Sequence, residues 1–442
     1  MSKLSLGHAA KAQLIEHFLG KKGKGVESGD SLPASRTSRH ASVPDAFCRF
    51  DRHPGYEKIL VSKMAADRIK LANPFFITHD GVAGATTRIG GREYINFSSY
   101  NYLGLAGHPA VNKAAKEAID RYGTSASASR LVAGERGVQR ELEETLADNY
   151  GVEDCIVFVS GHATNVSTIG YLFGPKDLII HDSLIHNSVI EGIKLSGSAR
   201  RSFPHNNHRM LDQILADIRG QFERVLVVVE GHYSMDGDIP DLPALIDIKR
   251  RHKVFLMVDE AHSLGVLGNN GRGIHEHFDV HGKDVDIWMG TLSKTLAGSG
   301  GYIAGERALV EHLKYAAPGF VYSVGISPVL AAASLEALRL MQKEPGRVQR
   351  LREQSQDFLQ KAREAGLDTG HSLGYAIVPV ITGSSLKATK LSNRMFERGI
   401  NVQPIIYPAV EEKEARLRFF LSTQHKEEQA RATIEALTLA DS

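Results

Sequence analysis

Hydrophobic residues in the middle of the chain come in short runs that close on a polar or charged residue. The runs at 155–159 (CIVFV), 177–181 (DLIIH), 225–230 (VLVVVE), 254–259 (VFLMVD) and 285–289 (VDIWM) have the length of buried strands. Between them, 137–150, 208–219 and 242–252 carry helical patterns. Strands alternating with helices predict a mostly parallel sheet covered on both faces. Ligands bind such sheets beyond the carboxyl ends of the strands, so functional side chains are expected just after these runs. REYINF at 92–97 reads as a short strand. Past about 336 the pattern becomes a long charged helix (338–364), short strands near 375–381 and a final helix at 425–439. That is the pattern of a smaller α+β domain. At the other end, 8–19 fits a short amphipathic helix, and 20–45 lacks apolar periodicity and reads as a linker. Four regions follow: 1–45, a helix and flexible linker; 46–97, a segment expected to pack on the body; 98–335, a large domain; and 336–442, a small one.

Composition narrows the class. Of 442 residues, 42% are hydrophobic and 24% charged, the balance of a globular protein. Basic and acidic side chains number 53 and 51 with no long basic run, which argues against nucleic acid as a partner. No apolar run approaches the roughly 18 residues that suggest a membrane span, and no signal peptide is evident. With only Cys48 and Cys155, no disulfide framework is implied, and a reducing cytoplasm is the expected setting. The histidines do not fall at metal-ligand spacing.

The strand ends carry the candidate chemistry. In 258-VDEAHSLG-265, Asp259 closes an apolar run. A carboxylate there can cap a helix or ligate a metal. It can also pair with a pyridine nitrogen and keep it protonated, so that the ring accepts electrons from a carbanion. His262, one turn on, can then contact the ring oxygen or the substrate. In 288-WMGTLSKTLAGSGGY-302, Lys294 follows a strand and precedes a glycine-rich run. A lone lysine is usually a solvated one, but this amine can form an imine with a carbonyl cofactor, and Thr291, Ser293 and Thr295 offer hydroxyls to a phosphate. The turn 160-SGHATN-165 opens a helix, and helix N-termini bind phosphate. His186 in 181-HDSLIHNS-188 is either an ordinary histidine or one stacked on the cofactor ring. Ser234 in 230-EGHYSMDGDIP-240 is a cofactor-contact candidate beside an Asp-Gly turn. Together these residues point to pyridoxal 5'-phosphate, with Lys294 as its Schiff-base lysine.

In this order and spacing, the five segments resemble the α-oxoamine synthase family. So do 100-YNYLGLAGHP-109, 123-GTSASASRLVAGERGVQRELE-143 and 267-LGNNGRGIHEH-277, and the resemblance runs from about 90 to 440. It implies the α/β fold of fold-type I pyridoxal-phosphate transferases: a mostly parallel seven-stranded sheet in a large domain, plus a smaller α+β C-terminal domain. It implies decarboxylative condensation of a small amino acid with an acyl thioester. Lys294 then binds the cofactor and moves the substrate proton, Asp259 meets the pyridine nitrogen, and His262 lies near the ring oxygen. His186 stacks on the ring, Ser234 lies beside it, and Thr291 with the Gly161–His162 backbone holds phosphate. Ser323, in 320-FVYSVGISP-328, resembles a phosphate donor supplied across a dimer interface, which implies a homodimer with shared sites. Tyr100 and Asn101 resemble substrate-side residues.

Two departures concern substrates. Ile406 or Tyr407 stands where many relatives carry an arginine for the amino-acid carboxylate, which leaves Arg418 of Arg416-Leu417-Arg418 for that task. His162 replaces an aromatic or small residue. The stretches RFDRHPGYE (49–57) and LANPFF (71–76) resemble the lead-in of synthases tied to polyketide or fatty-acid assembly. They bring an acyl carrier protein into view as donor, beside CoA and beside a merely structural extension. An aminotransferase or aldolase of the same fold is the competing enzyme reading. A non-catalytic partner subunit would be expected to lack Lys294.

Overall fold

The computed structural model describes residues 43–441. The helix expected at 8–19, and nearly all of the linker expected at 20–45, lie outside the described residues. The chain divides into a unit ending at Lys70 and a unit from Leu71 onward. The first contains the helix Pro54–Arg68, started by Pro54 and by His53, whose Nδ1 accepts the Gly55 N–H at 3.1 Å.

Among its described residues the second unit has thirteen strands: β1 (Thr86–Ile89), β2 (Arg92–Asn96), β3 (Asp154–Phe158), β4 (Leu178–Asp182), β5 (Ala199–Phe203), β6 (Val225–Glu230), β7 (Phe255–Asp259), β8 (Ile287–Thr291), β9 (Gly301–Gly305), β10 (Ile377–Ile381), β11 (Ile400–Asn401), β12 (Pro404–Ile405) and β13 (Arg416–Phe420). Seven form one sheet in the order β3-β9-β8-β7-β6-β4-β5. All its pairings are parallel except those of β9 with β3 and β8. Alternation along the central strands explains its stability. Ile179, Val228, Met257 and Met289 face one apolar layer, while Ile180, Val227, Val258 and Trp288 face the other. Both faces are therefore buried, which is why these strands read as continuous apolar runs.

Two small sheets complete this unit. In one, β10, β13 and β12 pair antiparallel; in the other, β11 joins β2 in parallel beside β1, so residues 86–96 share a sheet with the C-terminal region.

Three expectations need correction. The single helix expected at 338–364 is two, Pro328–Lys343 and Gly346–Glu364. Pro345 disfavours helical backbone at Glu344, which takes φ −122° and ψ 61°. Strand β5 (ARRSF) was not expected, because it is an edge strand whose side chains are mostly exposed. Strand β9 was hidden inside a glycine-rich stretch that reads as a loop. Its first glycine is a packing requirement: a Cβ on Gly301 would come within 2.7 Å of Gly161 Cα, where the helix Gly161–Leu172 crosses the sheet.

Candidate active site

The parallel strands end at one edge, and their last residues meet there. Glu230 and Asp259 are register partners at the ends of β6 and β7, and Thr291 closes β8. Lys294 follows three residues later. The helix Gly161–Leu172 points its N-terminus at the same edge and is capped by Ser160, whose Oγ accepts the Ala163 N–H at 3.4 Å. Together they enclose a cavity of about 220 Å³. Eight of the residues singled out from the sequence line it: Gly161, His162, His186, Asp259, His262, Thr291, Ser293 and Lys294.

A polar chain sets the relative positions of two of them. Asn165 Nδ2 donates to Asp259 Oδ2 at 3.0 Å and to Ser188 Oγ at 2.9 Å, and Ser188 Oγ lies 2.7 Å from His186 Nδ1. The Ser188 backbone N–H also donates to His186 Nδ1, at 3.3 Å. Nδ1 is thus an acceptor, and the neutral ring carries its proton on Nε2. Burial pushes the His186 pKa down, in keeping with that neutral form. The other Asp259 oxygen accepts the Ala261 N–H at 3.0 Å. His262 is fixed separately, its Nδ1 2.7 Å from the Tyr102 hydroxyl. It is buried, and burial drives its pKa well below the usual histidine value.

Lys294 is half-buried. Among the described residues no carboxylate lies within ion-pair distance of its Nζ, which sits 5.7 Å above the Tyr100 ring. Burial lowers its pKa from 10.5 to about 8, although Asp259 and Glu230 pull the other way. Glu230 moves oppositely. Its carboxyl is pushed up to about 8, by burial first and by the neighbouring Asp259 second. One of its oxygens accepts the Ser234 N–H at 3.2 Å and the other has no partner among the described residues.

The remaining sequence candidates do not line this cavity. Ser234 is buried behind Glu230, and its carbonyl accepts from Arg418 Nη1 at 2.9 Å. The Arg418 guanidinium lies 4.5 Å over the Phe420 ring, which stacks on His262 with an interplanar angle of 7°. Tyr100 and Asn101 border a second cavity that shares Ser293 and Lys294 with the first. The Asn101 side chain is committed to its own loop, bonding the backbone of Ala83 and Ala106. Ser323 is half-buried, on neither cavity of its own chain. Ile406 is half-buried just after β12. Sequence reasoning missed Asn165, Ser188, Tyr102 and Glu230. All four stood inside quoted motifs, but Asn165, Tyr102 and Glu230 act with residues that only the fold brings close, and Ser188 links its neighbour His186 to Asn165, 23 positions away.

The first cavity fits pyridoxal phosphate by its shape and its donors. Gly161 leaves open a cradle that a Cβ would fill, since that atom would lie 2.9 Å from Thr291 Oγ1. The cradle combines backbone N–H groups of a helix N-terminus with the Thr291 and Ser293 hydroxyls, themselves 2.9 Å apart, a set suited to phosphate. Asp259 supplies a carboxylate on the sheet side, and Lys294 an amine.

Comparisons with known proteins agree. The model of the family described as aminotransferase class I and II matches residues 92–437. An 8-amino-7-oxononanoate synthase from Symbiobacterium thermophilum is 41% identical over 340 residues, 77% of this chain and 86% of the relative. One from Thermoanaerobacter pseudethanolicus is 37% identical over 354 residues, 80% and 89% of the two chains. The solved serine palmitoyltransferase of Sphingomonas wittichii superposes with a TM-score of 0.84 at 29% identity, covering 88% of this chain and 97% of that one. The chain belongs to the aminotransferase class I and II family and has the pyridoxal-phosphate-dependent fold of type I. Within that family it is an α-oxoamine synthase, a C-acyltransferase acting with pyridoxal phosphate.

Proposed function

We propose that the enzyme condenses a small amino acid (glycine, alanine or serine) with an acyl thioester, releasing CO2 and free thiol and leaving an α-amino ketone. The observation that carries this reading is the joint placement of Lys294, Asp259, His262 and His186 on one cavity. Bound pyridoxal phosphate supplies a carbonyl that condenses with amines and a protonated ring that takes up electron density from the amino acid's α-carbon.

The protein's own groups do the rest. Asp259, oriented by Asn165 and by the Ala261 N–H, holds the charge that keeps the ring nitrogen protonated. The Gly161–His162 backbone and Thr291 hold the phosphate. His186, neutral and locked by Ser188, would stack on the cofactor ring. Lys294 holds the cofactor between turnovers, and its depressed pKa suits it to take and return the proton at the α-carbon. His262, with Nδ1 engaged by Tyr102, keeps Nε2 for the ring oxygen or the substrate carbonyl. Ser234 would act on the cofactor only through Glu230, whose carboxyl group its N–H holds at 3.2 Å. Arg418, whose Nε is buried with no partner among the described residues, is the cation left for the amino-acid carboxylate in place of an arginine near Ile406. Tyr100 and Asn101 border the substrate side.

The assembly we infer is a homodimer, with Ser323 donating to the phosphate of the partner's site; it lines neither of the two cavities around Lys294. Two free cysteines, one exposed, suit a reducing cytoplasm, and no helix among the described residues is long and apolar enough to cross a membrane. An acyl carrier protein is the donor we favour over CoA, on the RFDRHPGYE and LANPFF stretches. The test is a panel of amino acids against matched acyl-carrier and acyl-CoA thioesters, read by CO2 release and product mass. An α-amino ketone formed only when both substrates are present is expected. Amino-group transfer to a keto acid without CO2 would overturn the reading, and equal or better turnover with CoA would overturn the carrier preference.

A further inference from the structure

The cofactor cavity is lined by two carboxyl groups, although a ring nitrogen needs only one negative partner. Glu230 and Asp259 close neighbouring parallel strands as register partners, so both side chains leave the sheet on the same side. Their surroundings differ. Each Asp259 oxygen accepts an N–H, one from the Asn165 side chain at 3.0 Å and one from the Ala261 backbone at 3.0 Å. Glu230 is buried, with one oxygen on the Ser234 N–H at 3.2 Å and the other without a partner among the described residues.

An ionised carboxylate offers roughly four acceptor sites and no donor. At Glu230 a single N–H answers them, and among the described residues no Lys, Arg or His lies within ion-pair distance. A buried charge so poorly paired takes up a proton instead. The charged and titratable groups that face it favour that outcome. Asp259 on β7 and Asp182 at the end of β4 both push its pKa up. Asp182 is itself satisfied by His205 and by the Leu184 and Asn206 N–H groups. Lys294 pulls the other way, but its amine is committed to the cofactor. Arg418 on β13 donates to the Ser234 carbonyl and not to Glu230. Tyr233, on the loop that follows β6, is a hydroxyl that burial keeps neutral.

We propose that Glu230 is the neutral acid of this site: its unpartnered oxygen carries a proton and donates a hydrogen bond to the bound cofactor, which leaves Asp259 as the carboxylate for the ring nitrogen. Ser234 then works by orienting this acid. The proposal deepens the pyridoxal-phosphate reading and rests on it, but not on which amino acid or thioester reacts.

Difference infrared spectra of the native protein with and without pyridoxal phosphate, near neutral pH, read the proton directly. A protonated-carboxyl C=O band that shifts when the cofactor binds and vanishes in Glu230→Gln is expected. Glu260, another acid that burial pushes up to about 8, is held by the Ile274 N–H and should keep its own band in the variant. Equilibrium cofactor binding gives a second readout. Glutamine keeps a neutral donor, so Glu230→Gln should bind pyridoxal phosphate within about twofold of native, whereas Glu230→Ala should bind roughly five- to tenfold more weakly, the order of one lost hydrogen bond. A missing band, or one that the cofactor leaves unmoved, would overturn the proposal. So would an alanine variant that binds as tightly as the native protein, or a glutamine variant that binds as weakly as the alanine one. Those results would leave the cofactor reading standing, while a native protein that binds no pyridoxal phosphate would sink both.

Discussion

Lys294 shows how environment turns an ordinary side chain into a reactive one. An exposed lysine amine is almost wholly protonated near neutrality. Burial beside the strand ends brings its pKa to about 8, so a sizeable neutral fraction exists under mild conditions. The direction of the pH effect follows. The neutral, nucleophilic fraction grows as pH rises and levels off above the folded-state pKa. Loading of the apoenzyme with pyridoxal phosphate should therefore accelerate up to about pH 8 and then flatten, measured by stopped-flow absorbance. A rate still climbing steeply near pH 10 would mean that the amine is not desolvated. Asp259 and Lys294 were legible in the sequence because each sits at, or just past, the end of an apolar run. Asn165 was not, because its role depends on Asp259, 94 positions away. Glu230 read as part of a turn, and nothing local to it announces a second carboxyl beside Asp259.

At the scale of elements, the site depends on one close crossing. The helix that presents its N-terminus to the phosphate rests on β9 at Gly301, where no side chain fits. Gly301→Ala should push this helix away from the sheet. The expected cost is about 1–3 kcal/mol of stability, as for overpacked cores, seen as a lower urea midpoint, together with weaker cofactor binding. Unchanged affinity would show that the helix position does not set the phosphate cradle. The central strands and the helices at 137–150 and 242–252 were readable from periodicity, because burial on both faces leaves a simple pattern. β9 and β5 were not: one is glycine-rich for packing reasons, and the other is a polar edge.

For the whole molecule, a doubly covered sheet gathers residues from positions 161 to 294 at one edge, and the C-terminal sheet adds Arg418 next to them through Ser234. The fold class and the reaction class were legible because the strand-end motifs recur together along most of the chain. The substrates were less so. Ile406 or Tyr407 stands where the resemblance implies an arginine, and the polar lining of the second cavity arises from residues as distant as Ser98 and Gln403. The most direct measurement of the central claim is chemical trapping. Holoenzyme reduced with borohydride, digested and mass-mapped should carry a phosphopyridoxyl group on the peptide containing Lys294, and Lys294→Ala should lose both the adduct and the visible absorbance of the bound cofactor. An adduct on any other lysine, or an unchanged spectrum in the alanine variant, would contradict the account.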